Sequence, residues 1–186
     1  PDPKAVRASI RRATADMSGM TFYQDFVYVL GAYAEDLMDG RDDSPAIRWF
    51  KGEYDLKSDA RRDLSVATII GDSNWYDMVK LWAEFGVRAG YRGLVVFMDE
   101  AVVLYKLQNR ASRSNNYERL LTMFNDIMQG KSSHLSMYVC GTPEFITDPD
   151  RGLYSYEALR SRLVSGRFEN GYDNYLGPVI NLRPLT

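Results

Sequence analysis

A single cysteine, Cys140, and a single histidine, His134, stand among 186 residues. One cysteine excludes an internal disulfide framework and suits a reducing compartment. The pair also excludes a Cys/His zinc site built from this chain alone. No apolar run approaches the ~20 residues that cross a bilayer, and the amino terminus does not read as a signal peptide. No membrane association is expected, and the expected location is cytoplasmic. Neither sign of charge is in excess: the net charge of −2 supplies no global basic field for nucleic acid. Internal repeats and low-complexity tracts are missing too.

What is present is ordinary globular composition, with 45% hydrophobic and 26% charged residues. The length fits one domain with a sizeable core. The chain begins with Pro1 and stops at NLRPLT without a polar tail, so it is expected to be a piece of a longer protein.

Residues 1–90 read as mainly helical. KAVRASIRRAT, 4–14, places Val6 and Ile10 on one face and Arg7 and Arg11 on another. In 22–38 the apolar residues Phe22, Phe26, Leu30, Tyr33 and Leu37 recur at helical spacing. Ser44-Pro45 is a helix-start signal for AIRWFKG. LKSDARRDLSVATIIGDS reads as a short helix followed by a loop. NWYDMVKLWAEFGVRAG, 74–90, is amphipathic through Trp75, Met78, Val79, Trp82 and Phe85, with Gly90 as its C-terminal cap.

After Gly93 the period changes. LVVFM has the length and β-branched content of a strand buried on both faces. AVVLYKLQNR is predicted helical. NNYERLLTMFNDIMQG, 115–130, carries a stripe of Tyr117, Leu120, Leu121, Phe124, Ile127 and Met128. LSMYVCG, 135–141, is a second strand, SYEALRSRL, 155–163, a helix, and PVINL, 178–182, a third strand. Strands alternating with helices predict an α/β fold with a parallel sheet flanked by helices.

Asp99 and Glu100 follow LVVFM directly. Ligands of parallel α/β sheets bind outside the carboxyl ends of the strands. Hydrophobics followed by Asp-Glu form the Walker B pattern of P-loop ATPases. There Asp99 would orient magnesium, a hard cation that prefers oxygen, and Glu100 would polarise the water that attacks the γ-phosphate. The plainer reading is an acidic turn capping the next helix. One strand later, CGTPE puts Thr142 where AAA+ ATPases carry a polar sensor; the alternative is a turn with Thr142 as a helix cap. The following helix carries Arg160 and Arg162. Arginine suits phosphate through its permanently charged, planar fork. Tyr156, Leu159 and Leu163 set the apolar stripe; Arg160 falls near its edge and Arg162 points away. Arg162 is therefore the favoured trans-acting finger, against a structural or solvated role.

The phosphate cradle G-x-x-x-x-G-K-[ST] is missing. QGKSS, 129–133, has Asn125 where the first glycine belongs, runs from helix to strand, and follows the acidic pair. Gly130 reads instead as a helix C-cap with Lys131 beside it.

The succession AIRWFKGEY, IIGDSNWYDMVKL, AGYRGLVVFMDEAVVLYKL, NYERLLTMFNDIMQGK, CGTPEFITDPDRGLYSYEALRSRL and GPVINLRPLT resembles the BREX-system ATP-binding domain family, bacterial P-loop ATPases associated with phage resistance. The resemblance runs over nearly the whole chain. It implies a P-loop NTPase-like, AAA+-like fold truncated at both ends. Residues 91–186 would run from Walker B to the last core strand, with Walker A and the lid outside this chain. It further implies ATP and Mg2+ as cofactors, Asp99 on the metal, Glu100 as catalytic acid/base group, Thr142 as sensor, and Arg160 or Arg162 as finger. A homo-oligomer and other phage-defence proteins are the implied partners. The alternative function is a non-catalytic nucleotide-sensing scaffold or signalling module. A metal-dependent phosphodiesterase would need more carboxylates converging on Asp99 and Glu100.

Other features have bland readings beside the functional ones. Lys4, Arg7, Arg11 and Arg12 could touch DNA phosphates or form a solvated face. Trp75 and Trp82 fit the helix stripe and are expected in the core. DPDRGLYSY is expected at a subunit or partner surface, or as a packed turn. His134 is expected at the surface.

Overall fold

The computed structural model describes residues 2–164, 177–180 and 182. The chain divides into two compact units, Pro1–Leu94 with Ser133–Leu135, and Val95–Ser132 with Ser136–Thr186.

The first unit is helical: α1 (Pro3–Ala13), α2 (Tyr23–Met38), α3 (Pro45–Phe50), α4 (Lys57–Leu64) and α5 (Trp75–Arg88). Ser44 caps α3 as its sequence predicts, its Oγ accepting from the Ile47 N–H at 3.3 Å and donating to Asp36 Oδ2 at 2.7 Å. Gly90, at φ +92°, follows α5, and the Tyr91 N–H closes back on the Gly86 carbonyl. That left-handed C-terminal turn is the kind glycine adopts without steric cost.

An aromatic cluster fills this unit's core. Phe26 and Trp49 are 0% exposed. Phe26 meets Phe50, Trp82 and Phe85 edge-on at centroid distances of 5.5, 5.1 and 6.0 Å. The Trp49 indole N–H, which burial would otherwise leave unsatisfied, donates to the Thr68 carbonyl at 2.7 Å. Of the two tryptophans expected in the core, Trp82 is partly buried and packs against it, whereas Trp75 is partly buried outside that cluster. On α2 the buried residues are Tyr23, Phe26, Val27, Val29, Leu30, Gly31 and Asp36, whereas Leu37, in the last turn, is exposed.

The basic face of α1 is partly spent. Arg7 pairs with Glu35 and lies over the Tyr28 ring, 5.1 Å from its centroid. This hydrogen-bonded pairing raises the Arg7 pKa and lowers that of Glu35. Lys4, Arg11 and Arg12 are exposed.

In the second part of the chain, β1 (Leu94–Met98) leads through α6 (Val102–Lys106) and α7 (Arg110–Met128) to β2 (Leu135–Val139). The Leu94 N–H bonds the His134 carbonyl at 2.8 Å, and the Cys140 N–H bonds the Met98 carbonyl at 2.9 Å. First residues pair with first and last with last, so the strands are parallel neighbours. Gly93 sits at φ +150°, and a Cβ there would stand 2.4 Å from the His134 carbonyl oxygen, so the start of β1 requires glycine. α8 (Pro143–Thr147) and α9 (Glu157–Val164) follow.

Several predictions of secondary structure need correction. The described sheet has two strands: Pro178, Val179, Ile180 and Leu182 take no part in one, and Asn181 lies outside the described residues. β1 is not buried on both faces; Val95 is 53% and Phe97 69% exposed. Phe97 stacks instead on Tyr138, centroids 5.1 Å apart. α7 starts at Arg110, ahead of the predicted 115, because Asn109 Oδ1 caps the Ser112 N–H at 3.0 Å. Met128, placed on that stripe, is exposed, while Met123 is buried. Gly130, at φ +70°, ends α7, with the Lys131 N–H on the Asp126 carbonyl at 2.8 Å; this is the cap expected of it rather than a phosphate loop.

Candidate functional site

The parallel pairing carries the acidic pair and Thr142 out of the sheet at the same end. After the Cys140 N–H bonds Met98, the Cys140 carbonyl accepts from the Ala101 N–H at 2.9 Å. The turn holding Asp99 and Glu100 is therefore tied to the residue that precedes Gly141-Thr142.

The turn itself is strained. Glu100 has φ +52°, a left-handed conformation uncommon outside glycine. Such a residue costs of order 1–3 kcal/mol and persists where surroundings over-determine it. Here Asp99 Oδ1 accepts from the Glu100 N–H at 2.8 Å, and the Glu100 carbonyl accepts from the Val103 N–H at 2.9 Å. Both acids are exposed. One Asp99 oxygen is thus used within the turn.

Thr142 occupies the N-cap position of α8, but its side chain makes no capping bond. It is exposed. A Cβ on the preceding Gly141 would come 2.6 Å from Phe145 Cδ1, so a larger residue could not pass at that point without moving a buried ring.

The two arginines differ from their predicted phase. Arg162 is half-buried; its Nε donates to Asn125 Oδ1 at 2.8 Å and its Nη1 to the Ala158 carbonyl at 2.7 Å, fastening α9 to α7. Arg160 is exposed. The helical wheel placed Arg162 away from the apolar residues of α9, but took no account of a polar partner on α7.

Sequence reasoning missed a polar latch around DPDRG, which is a packed turn. Asp148 Oδ1 accepts from the Asp150 and Arg151 N–H groups at 2.8 and 3.0 Å, and its Oδ2 accepts from the Tyr105 hydroxyl at 2.9 Å. These bonds hold the Asp148 carboxyl below its ordinary pKa, the backbone donor of Asp150 contributing most. Arg151 lies over the Tyr105 ring and donates to the Tyr105 and Leu107 carbonyls, both at 3.2 Å. Tyr117, 1% exposed, donates its hydroxyl to the Arg151 carbonyl at 2.6 Å; burial raises its pKa. The helix after the acids is thereby joined to the segment after Thr142. The available signal was Asp-Pro-Asp, a side chain-capped turn, but its distant partners leave no local pattern.

Among the described residues no group of three or more His, Cys, Asp or Glu is arranged to hold a metal ion. Cys140 and His134 are exposed. No helix there is long and apolar enough to cross a membrane. A single carboxylate, Asp99, would hold magnesium, a cation commonly bound through only one or two protein carboxylates.

A family model described as BREX system ATP-binding protein BrxC/D matches residues 2–186. The chain belongs to this family. Its members are ATP-binding proteins of a bacterial phage-defence system, and the chain's context is therefore other BREX proteins. No curated protein and no solved structure matches the chain.

Proposed function

We propose that this chain carries the magnesium and water-activating side of an ATP-hydrolysing site in a P-loop, AAA+-like domain. The observation that carries the reading is the parallel β1–β2 pairing, which brings Asp99, Glu100 and the uncapped Thr142 to one sheet end. In this reading Asp99 would hold magnesium through the oxygen that does not accept from the Glu100 N–H. Magnesium, when bound, would neutralise charge on the phosphates. Glu100 accepts hydrogen bonding from the attacking water and increases its nucleophilicity. Thr142 donates its hydroxyl to the γ-phosphate or to that water. The G-x-x-x-x-G-K-[ST] cradle is not in these 186 residues, so this reading requires that another segment supply it.

Arg160 and Arg162 both remain candidates for a finger reaching a neighbouring subunit's nucleotide. Exposure favours Arg160; Arg162 would have to leave Asn125 and Ala158. Either requires a homo-oligomer. DNA as a further partner rests on the exposed Lys4, Arg11 and Arg12 alone.

Glu100→Gln tests the assignment in the protein that includes the cradle. ATP turnover is expected to fall by at least ~100-fold while nucleotide stays bound. Undiminished turnover sinks the role of Glu100. Absence of turnover in the unmodified protein, with magnesium present, supports instead the non-catalytic scaffold that the missing cradle also allows.

A further inference from the structure

The second unit contains a cavity of about 640 Å³ that the acidic-pair reading leaves unused. Arg110, Arg113, Ser114 and Tyr117 line it from the first two turns of α7, with Asp150 and Tyr156 opposite in sequence. Its volume falls in the range of small-ligand pockets, roughly 300–1,000 Å³. Neither Asp99, Glu100 nor Thr142 lines it.

Its charge is unbalanced where burial is greatest. Arg113 is 8% exposed and stands on the buried stripe of α7, four residues before Tyr117 and seven before Leu120. Its Nη1 donates to the Leu107 carbonyl at 2.7 Å. Arg151 Nη2 donates to that same carbonyl at 3.2 Å, and Arg151 Nε is buried without a partner. Two guanidinium groups therefore converge on one neutral oxygen. Among the described residues neither forms an ion pair. Asp148, whose oxygens accept from Tyr105 and from backbone donors, faces Arg151 electrostatically, so it is Arg113 that lacks a counter-charge. Asp150, the acid on the wall, is exposed.

A buried cation without a counter-charge is costly, and two like charges in proximity are costlier. Arg113 lines the cavity, and an anion entering it would supply the counter-charge that Arg113 lacks. The opposite wall is set in place: a Cβ on Gly152 would stand 2.8 Å from the Asp148 carbonyl oxygen and 2.9 Å from that of Glu144, so the turn is closed tightly on α8. Arginine's fork matches phosphate oxygens in a way that a point charge does not.

We propose that this cavity binds a small phosphate-bearing ligand, with Arg113 and Arg110 holding a phosphoryl group, at a site separate from the one proposed for hydrolysis. The phosphoryl group is shared by free oligophosphate and nucleotide, and the test separates them. The protein is titrated by calorimetry with inorganic pyrophosphate and, in parallel, with ADP, both without magnesium. Saturable pyrophosphate binding with a Kd below about 1 mM is expected. Arg110→Glu, at an exposed wall position, is expected to weaken it ~10-fold or more with no change in unfolding temperature. Arg113→Met should abolish it; if that variant does not fold, Arg110→Glu decides. ADP binding that is tighter than pyrophosphate, and equally sensitive to Arg110→Glu, assigns the site to a nucleotide; equal affinities assign it to the phosphoryl group alone. Glu100→Gln is expected to leave pyrophosphate affinity unchanged, so failure of the hydrolysis reading and failure of this one are distinguishable. Absence of saturable binding up to about 10 mM, or affinity indifferent to Arg110→Glu, overturns the proposal. So does binding of a single-stranded oligonucleotide without binding of pyrophosphate, which would assign the surface to a polymer.

Discussion

Phe26 of α2 and Phe97 of β1 are the same residue type in opposite situations, 0% and 69% exposed. The first sits in an aromatic cluster with Phe50, Trp82 and Phe85; the second has Tyr138 stacked beside it. The contrast extends to the units that hold them. The helical unit is organised by apolar burial, which is non-directional and tolerates rearrangement of detail. The strand-bearing unit is organised around directional bonds from Tyr105, Arg113, Tyr117, Asp148 and Arg151. It also keeps Asp99, Glu100 and Thr142 exposed. The Asp99–Glu100 turn and Thr142 thus lie on the unit in which Tyr105, Tyr117 and Arg151 are fixed by directional bonds.

The comparison breaks most visibly at Trp49. Trp49→Ala removes a 0% exposed side chain and strands the Thr68 carbonyl. A loss of ~3–5 kcal/mol is expected, measured by urea unfolding followed through tyrosine and tryptophan fluorescence. A loss below ~1 kcal/mol would mean that the helical unit does not depend on its aromatic core.

Next is Tyr117→Phe, which deletes only the hydroxyl that bonds Arg151. An acceptor left unsatisfied in a mostly buried place costs about 1–3 kcal/mol. Hydrogen exchange should rise at the 148–152 turn and not in α2. Unchanged exchange there would remove the latch as an organising feature.

A smaller effect is expected from pH. The Glu35 carboxyl is depressed by its hydrogen bond from Arg7. Its contribution is therefore complete above the ordinary carboxyl range and is lost as pH falls through the lowered folded value. Glu35→Gln should flatten the acid limb of the stability curve, with little change near neutrality beyond the loss of one partly exposed pair, ~0–1 kcal/mol. A steeper acid limb in the variant would contradict the sign.

The smallest effect is Phe97→Ser. Stacking on Tyr138 in an exposed setting should make it cost no more than about 1 kcal/mol. A loss as large as that for Trp49→Ala would show that the face of β1 is covered in solution.

Local signals read correctly from the sequence share a short range. Ser44-Pro45, Gly90 and Gly130 mark helix ends because capping is settled within a few residues. LVVFM and LSMYV were legible as strands because β-branched and aromatic runs of that length have few alternatives. Burial of β1 was misjudged because composition reports how apolar a strand is, and not what lies over it. The partner of Arg162 was not foreseen, because helical phase reports direction while Asn125 is 37 residues away. Arg113 had a signal that went unused: a charged residue at a buried stripe position of α7.

The sequence by itself determined the helices, the two strands, their caps and the acidic pair at the end of the first, because each depends on contacts within a turn or on side-chain periodicity. Only the tertiary structure decided that β1 and β2 are parallel neighbours, that Glu100 stands in a left-handed turn, and that Arg113 and Arg151 meet at one carbonyl. The strand pairing, the tie from Ala101 to Cys140 and the bond from Arg151 to Leu107 join residues about 40 positions apart, whose partners no local pattern specifies.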